Sequence, residues 1–147
     1  EFLVSLNVKE QTNEICKAAI DLYPDSYKYI KFNDKDERLD MLIRYAIVKG
    51  ASPKYIPVSM YELNDLIKIY KISIDYDPDY INDIEDKKCK EILIRHFLFK
   101  YPHLIESMPI EDRYINDIIF CCLCDKKYLK LIYNKEIKNT VEKFIKK

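Results

Sequence analysis

The sequence predicts an all-α protein, an α-solenoid of about five repeats of roughly 24–27 residues, each a long helix, a turn and a short helix. Three observations predict it. One apolar helix face recurs at a nearly fixed period, and a proline or a residue in its place follows each long helix. The chain also has a single glycine in 147 residues, which disfavours β-hairpins.

The long helices are predicted from apolar residues at positions i, i+3, i+4, i+7 and i+8. The clearest copy is Leu39, Leu42, Ile43, Ala46 and Ile47. Copies begin at positions 12, 39, 63, 89, 115 and 141, so successive starts lie 27, 24, 26, 26 and 26 residues apart. We expect helices of roughly 12 to 15 residues, which bury their faces by stacking on neighbours.

The short helices are predicted to begin where proline stops the preceding long helix. Proline lacks an N–H and holds φ near the helical value, so it suits a first helical turn. Ser52 and Asp77 precede such prolines and are predicted N-caps, and Gly50 is a predicted C-cap. The expected short helices open at Pro24, Pro53, Pro78, Pro102 and Lys126.

Length and composition favour residues 1–147 as a single helical-repeat domain. Lys plus Arg and Asp plus Glu both number 25, so the formal net charge is zero and nucleic-acid binding is disfavoured. The longest apolar run, residues 118–124, is too short to span a bilayer, so no membrane partner is expected. Five cysteines on helix faces favour a reducing, cytoplasmic compartment over a disulfide framework.

The two ends of the chain differ. The last helix is rich in lysine and is predicted to be a polar cap. Phe2, Leu3 and Val4 look like the short helix of a preceding unit, so we expect a fragment of a longer protein whose N-terminal repeat is incomplete. Self-association through Phe2 and Leu3 follows as one hypothesis.

Residues 9–16, Lys-Glu-Gln-Thr-Asn-Glu-Ile-Cys, carry a family resemblance. They resemble the K-E-Q-T-x-E-I-C start of a short tandem repeat of unknown function found in giant-virus and some intracellular bacterial proteins. The likeness covers residues 8–32, including Tyr29 and Ile30. It implies an all-helical region of a viral or amoeba-associated protein, in the host-cell cytoplasm or virion, and brings no catalytic residues.

Metal and catalytic chemistry are not expected. The candidate zinc ligands lack a second C-x-x-C pair, and we interpret the cysteines as core residues and His96 as a core histidine. Pro78 interrupts the calcium-like run Asp75, Asp77 and Asp79. We therefore predict no enzyme activity, no cofactor and no metal. The residues weighed were Cys16, Cys89, Cys121, Cys122, Cys124, His96 and His103, and the acidic Asp34, Asp36, Glu37, Asp40, Asp83, Glu85 and Asp86.

Five tyrosines recur at one place in the repeat and are the candidate partner-binding residues: Tyr27, Tyr29, Tyr55, Tyr80 and Tyr128. Pointing outward, they would form an aromatic ridge for a protein partner. We favour the alternative that they wedge between long helices with only the hydroxyl in water.

The leading functional hypothesis is a non-enzymatic scaffold for protein–protein interaction. The alternative is a structural or assembly spacer that self-associates through its N-terminal repeat end. A third is single-stranded nucleic-acid binding, based on lysines beside the tyrosines.

Overall fold

The computed structural model describes residues 2–32 and 37–146 and confirms the all-α class. It is 74% helical, with no strand among those residues. Across the described ranges, no helix combines the length and hydropathy needed to cross a bilayer. The α-helices are α1 (Phe2–Ser5), α2 (Asn13–Leu22), α3 (Arg38–Val48), α4 (Leu63–Tyr76), α5 (Lys87–Phe97), α6 (Ile115–Cys124) and α7 (Lys135–Ile145).

All five predicted short helices are present, as 3₁₀ helices. Ser52 and Asp77 are confirmed as N-caps, since their side-chain oxygens accept hydrogen bonds from the amides of Lys54 and Asp79. Segments of three to six residues favour the tighter 3₁₀ turn over an α-helix. They are Pro24–Tyr29, Pro53–Tyr55, Pro78–Asp83, Pro102–Ser107 and Lys126–Leu131, and two unpredicted ones are Val58–Met60 and Asp112–Tyr114.

Most of the long helices are shorter than predicted. Extended residues, Tyr23 and Asp125, end α2 and α6, whereas the left-handed Gly50 follows α3. Helices α2, α3, α5, α6 and α7 have 10 or 11 residues, and only α4 reaches 14. The last copy of the apolar face, expected from Val141, lies within α7. Asn134 caps α7 by accepting from the amides of Glu136 and Ile137, so Val141 lies fully buried in mid-helix.

The chain divides into two compact units, Glu1–Glu85 and Asp86–Lys147. In the first, α2 packs on α3 and α3 on α4, while the 3₁₀ helix Pro53–Tyr55 contacts both Pro24–Tyr29 and Pro78–Asp83. In the second, α6 packs on α7, and the 3₁₀ helix Pro102–Ser107 contacts α5 and α6. Each unit therefore has a layer of long helices and a layer of short ones.

In the first unit, Ser52 joins three successive short segments. Its amide donates to Asp25 Oδ1 (2.7 Å) and its hydroxyl donates to Asp83 Oδ2 (2.7 Å). Its carbonyl accepts from the Tyr27 hydroxyl (2.6 Å). These bonds satisfy a residue that is only 8% exposed and fix the register of the short-helix layer.

Buried Gln11 holds α1 onto the first unit. Its side-chain amide donates to the carbonyls of Leu3 (2.6 Å) and Tyr29 (3.2 Å), and its side-chain oxygen accepts from the Lys31 amide (2.7 Å). Thr12 then caps α2 by accepting from the amide of Ile15. Gln11 thus joins backbone groups of adjacent segments, whereas Thr12 acts locally as the cap of its own helix.

Gly50 ends α3 in the left-handed region, at φ +97°, as predicted for a C-cap. The amide of Ala51 donates to the Ala46 carbonyl, and that of Gly50 to the Ile47 carbonyl, which is the Schellman pattern. A Cβ on Gly50 would overlap the phenol ring of Tyr76. Both the backbone and the neighbouring ring therefore require glycine here.

We expect Gly50→Ala to lower the free energy of unfolding by about 1–2 kcal/mol, since alanine is strained at positive φ and Tyr76 must move. Urea denaturation followed by circular dichroism measures this. Comparing Tyr76→Ala with the double variant Gly50→Ala, Tyr76→Ala isolates the backbone cost, because the ring is then absent. An unchanged midpoint for Gly50→Ala would contradict the C-cap assignment.

Candidate functional site: an uncovered apolar face in the first unit

The predicted tyrosine ridge does not form as an exposed row. Tyr27 and Tyr128 are 3% and 5% exposed. The Tyr27 hydroxyl donates to the Ser52 carbonyl and accepts from the Tyr55 amide, so it is bonded to backbone and not in water. Burial is the main cause that raises the pKa of Tyr27. Its role is to link the short segments of the first unit.

The other three candidate tyrosines are more accessible. Tyr29 is half-buried and Tyr55 is 38% exposed, with the Lys28 ammonium 5.0 Å from the Tyr29 ring centre and 4.7 Å from that of Tyr55. Tyr80 is half-buried, and its hydroxyl donates to the Gly50 carbonyl (2.7 Å). Within the first unit, the structure brings Tyr27 and Tyr55 into edge contact, with ring centres 6.2 Å apart.

The two residues proposed for self-association have opposite environments. Phe2 is 66% exposed, whereas Leu3 is 1% exposed. The hydrogen bond from Gln11 to the Leu3 carbonyl holds α1 so that this side chain is covered. Leu3 therefore belongs to the core, which corrects its assignment as a contact residue, and Phe2 alone remains on the surface.

Phe2 and Leu3 line a cleft of about 330 Å³ between α1 and α2, here called the N-terminal cleft. None of the described residues that line it is charged. Leu22 and Tyr23 are 76% and 74% exposed at its edge, which is unusual for such large apolar side chains. The complete lining is Phe2, Leu3, Ile15, Ala18, Ala19, Leu22, Tyr23 and Ser26.

The floor of the cleft is one flank of α2. Ile15 and Ala19 are half-exposed, although Leu42 and Ala46, at the same positions of the next repeat face, are 2% and 0% exposed. Helix α2 packs against α3, and among the residues that the structure describes the other α-helix in extensive contact with it is the four-residue α1. We call Ile15, Ala18, Ala19 and Leu22 the uncovered flank.

The opposite flank of α2 is polar, and its side chains contact residues of α3 and of the turn that follows α3. The Tyr45 hydroxyl of α3 donates to Asp21 (2.6 Å), and Lys49 lies 3.5 Å from the same carboxylate. The Tyr45 hydrogen bond is the main cause that lowers the pKa of Asp21. Lys17 lies 5.7 Å from the Tyr45 ring centre. The charges of this flank thus face α3 and leave the other flank neutral.

Sequence reasoning missed Ile15, Ala18, Leu22 and Tyr23 as surface residues. Ile15 and Ala19 fit the apolar face and were assigned to the core, because the pattern does not say which side of a helix has a neighbour. A signal was present, since Lys17 and Asp21 lie on one side of α2 and the pair Ala18–Ala19 lies toward the other.

The second unit has a smaller exposed apolar pair. Phe99 is 77% exposed, and its ring centre lies 4.4 Å from that of Phe120. Leu123 is 60% exposed. The adjoining depression is lined by charged Glu91, Arg95 and Asp117, so it lacks the uniform apolar chemistry of the N-terminal cleft.

The cysteines and histidines do not converge. Among residues 2–32 and 37–146, no three His, Cys, Asp or Glu side chains are grouped to hold a metal ion. Asp34 and Asp36 lie outside that range. His96 is exposed, with its ring edge-on to Phe97 at 4.8 Å, so its assignment to the core is wrong. The face of α5 turns instead toward Cys89, Leu93, Ile94 and Phe97.

No protein-family model matches the chain, and neither the curated proteins nor the solved structures contain a match to it.

We expect only Cys124 to react with a thiol reagent in the native protein. It is exposed, and the other four cysteines are buried. Burial raises the pKa of Cys89 and Cys122 to about 11 and that of Cys121 to about 12, so these thiols stay protonated and unreactive between pH 7 and 9.

The measurement is the time course of 5,5′-dithiobis(2-nitrobenzoate) reduction at pH 8. One thiol should react rapidly in the native state and four more after denaturation, and Cys124→Ser should remove the rapid phase. Rapid reaction of a second thiol would show that a cysteine here assigned to the core is accessible.

Proposed function

We propose that the chain is a non-enzymatic helical-repeat module that acts by binding protein, through the N-terminal cleft and the uncovered flank. The observation that carries this proposal is the neutral, concave surface bounded by Phe2, Leu22 and Tyr23, which are 66%, 76% and 74% exposed. Large exposed apolar surfaces of this kind mark interaction sites in soluble proteins.

The shape and the apolar lining of the N-terminal cleft favour a helix as the bound segment of the partner. At the equivalent flank of α3, Leu42 and Ala46 are buried, and Tyr45 contacts Asp21 of α2, so the fold already contains a helix packed beside such a flank. Helix-in-groove recognition uses apolar anchors at positions i, i+3, i+4 and i+7, which is the spacing of the residues in the uncovered flank. The same reasoning supports reading the repeats as an α-solenoid, in which each long helix is covered by its neighbours.

The proposed setting follows from the resemblance of residues 8–32 to the giant-virus repeat. It suggests a viral or host-interaction protein acting in the host-cell cytoplasm or the virion. In that repeat, we propose that the Gln of the motif joins adjacent segments and the Thr caps the following helix, as Gln11 and Thr12 do here.

A photo-crosslinking amino acid at position 18 tests the proposal. Ala18 is exposed on the uncovered flank, and Tyr133, 88% exposed in the second unit, is the control position. After irradiation in host-cell extract, we expect a discrete polypeptide adduct from position 18 and none from position 133. Excess unlabelled wild-type protein should suppress an adduct with a host polypeptide, because it competes for that polypeptide.

The Leu22→Asp variant provides the matched competitor. It removes an apolar anchor at an exposed position, so the fold should be retained and competition should weaken at least about tenfold. Absence of an adduct from position 18, or equal suppression by wild type and Leu22→Asp, would contradict binding at this face.

A further inference from the structure

We propose that the occupant of the N-terminal cleft is a second copy of this chain. In this dimer α2 lies antiparallel to the α2 of its partner, across a two-fold axis that passes between Ala18 and Ala19. The proposal rests on the proposed function, because it takes the cleft to be a contact surface, and it adds the identity and geometry of the partner.

The uncovered flank is symmetric about its own centre. Two alanines, Ala18 and Ala19, have one larger aliphatic residue at each side, Ile15 and Leu22. At about 1.5 Å rise per residue, Ile15 and Leu22 lie roughly 10 Å apart along the axis. An antiparallel copy therefore places Ile15 of one protomer beside Leu22 of the other at both ends. The small alanine side chains permit a distance of about 8 Å between the two helix axes.

Charge favours the same arrangement. In a two-fold interface, residues near the axis face their own copies, so a charge there would meet a like charge. The uncovered flank carries none, whereas Lys17 and Asp21 lie on the α3 side, where Tyr45 and Lys49 engage Asp21. The chain thus keeps its polar groups away from the proposed axis.

The same comparison argues against a further identical repeat as the occupant. Helix α3 recognises α2 through Tyr45 and Lys49, which bind Asp21. At the equivalent positions α2 has Ala18 and Leu22. An α2-like helix stacked there would leave its aspartate without a partner against an apolar surface, which is unfavourable. The flank accepts an apolar helix face, and its own copy presents one.

The available area predicts a weak dimer. A fully buried aromatic side chain contributes about 150–250 Å². Phe2, Tyr23 and the smaller Leu22 are 66%, 74% and 76% exposed, so together they offer roughly 500 Å² per copy. About 1,000 Å² in total falls just below the range of about 1,200–2,000 Å² for stable interfaces. We expect a dissociation constant of roughly 10–1,000 μM.

Sedimentation equilibrium between about 5 μM and 1 mM tests the dimer. Wild type should shift from monomer to dimer. Ala18→Glu places a charge at the axis and should weaken association at least about tenfold, while the exposed helical position Asn116 provides the control Asn116→Glu, with the same added charge and no effect expected. Far-ultraviolet circular dichroism confirms that both variants are folded.

Disulfide trapping in a Cys124→Ser background tests the geometry, since Cα atoms more than about 7 Å apart cannot be bridged. Ala18→Cys should form a disulfide dimer on its own. Ile15→Cys should not, but should link to Leu22→Cys when the two proteins are mixed. Self-linking of Ile15→Cys without that mixed product would establish a parallel pairing and overturn the antiparallel one.

The outcomes separate this inference from the proposed function. A wild-type protein that stays monomeric throughout, or a dimer that persists undiminished in Ala18→Glu, overturns the dimer at this face. If position 18 then still crosslinks to another polypeptide, the proposed function holds with a different partner. If position 18 crosslinks to no polypeptide, both the dimer and the proposed function are contradicted.

Discussion

The hydrogen bonds of Ser52 set the register on which the first unit depends. Its amide, carbonyl and hydroxyl each bind a different residue, namely Asp25, Tyr27 and Asp83, and these belong to the 3₁₀ helices before and after it. Short 3₁₀ helices satisfy few of their own polar groups, so side chains must do so where the segments are buried. Tyr80 adds a bond to the Gly50 carbonyl from the following segment. Once the short helices are in register, α3 and α4 are placed as well, because each of them joins two 3₁₀ helices.

This register gives α2 two unlike flanks. On one, Asp21 binds Tyr45 and Lys49 of α3, and these exposed pairs add selectivity for that neighbour more than stability. On the other, Gln11 fixes α1 through the Leu3 carbonyl and leaves a neutral cleft. The functional proposals rest on that asymmetry. A helix with neighbours on both sides would present only its narrow outer edge, whereas α2 presents a whole apolar side.

Periodicity and turn chemistry predicted much of the fold. The all-α class, the five short helices, the caps Ser52 and Asp77 and the C-cap Gly50 all depend on local sequence and are confirmed. The site was less predictable, because it depends on contacts between distant residues. The Tyr27 hydroxyl finds its acceptor 25 residues away, and Leu3 is buried through a hydrogen bond to its backbone, which no side-chain pattern records. His96 matched the expected face but is exposed, since the buried side of α5 is rotated toward Ile94.

Ala18 and Ala19 determine which kind of partner surface fits the N-terminal cleft. A flank of large residues would be best covered by groups that fill the space around them, whereas Ala18 and Ala19 form a shallow centre that a helix can approach closely. At that centre the two backbones would pack against each other, and the aliphatic ends at Ile15 and Leu22 would then align the two helices. Because the exposed area is modest, the free energy of association should be small, and binding should be reversible with concentration. Coverage of this face would then stabilise the folded chain increasingly as the partner concentration exceeds the dissociation constant, since a partner that binds only the folded form adds to its stability.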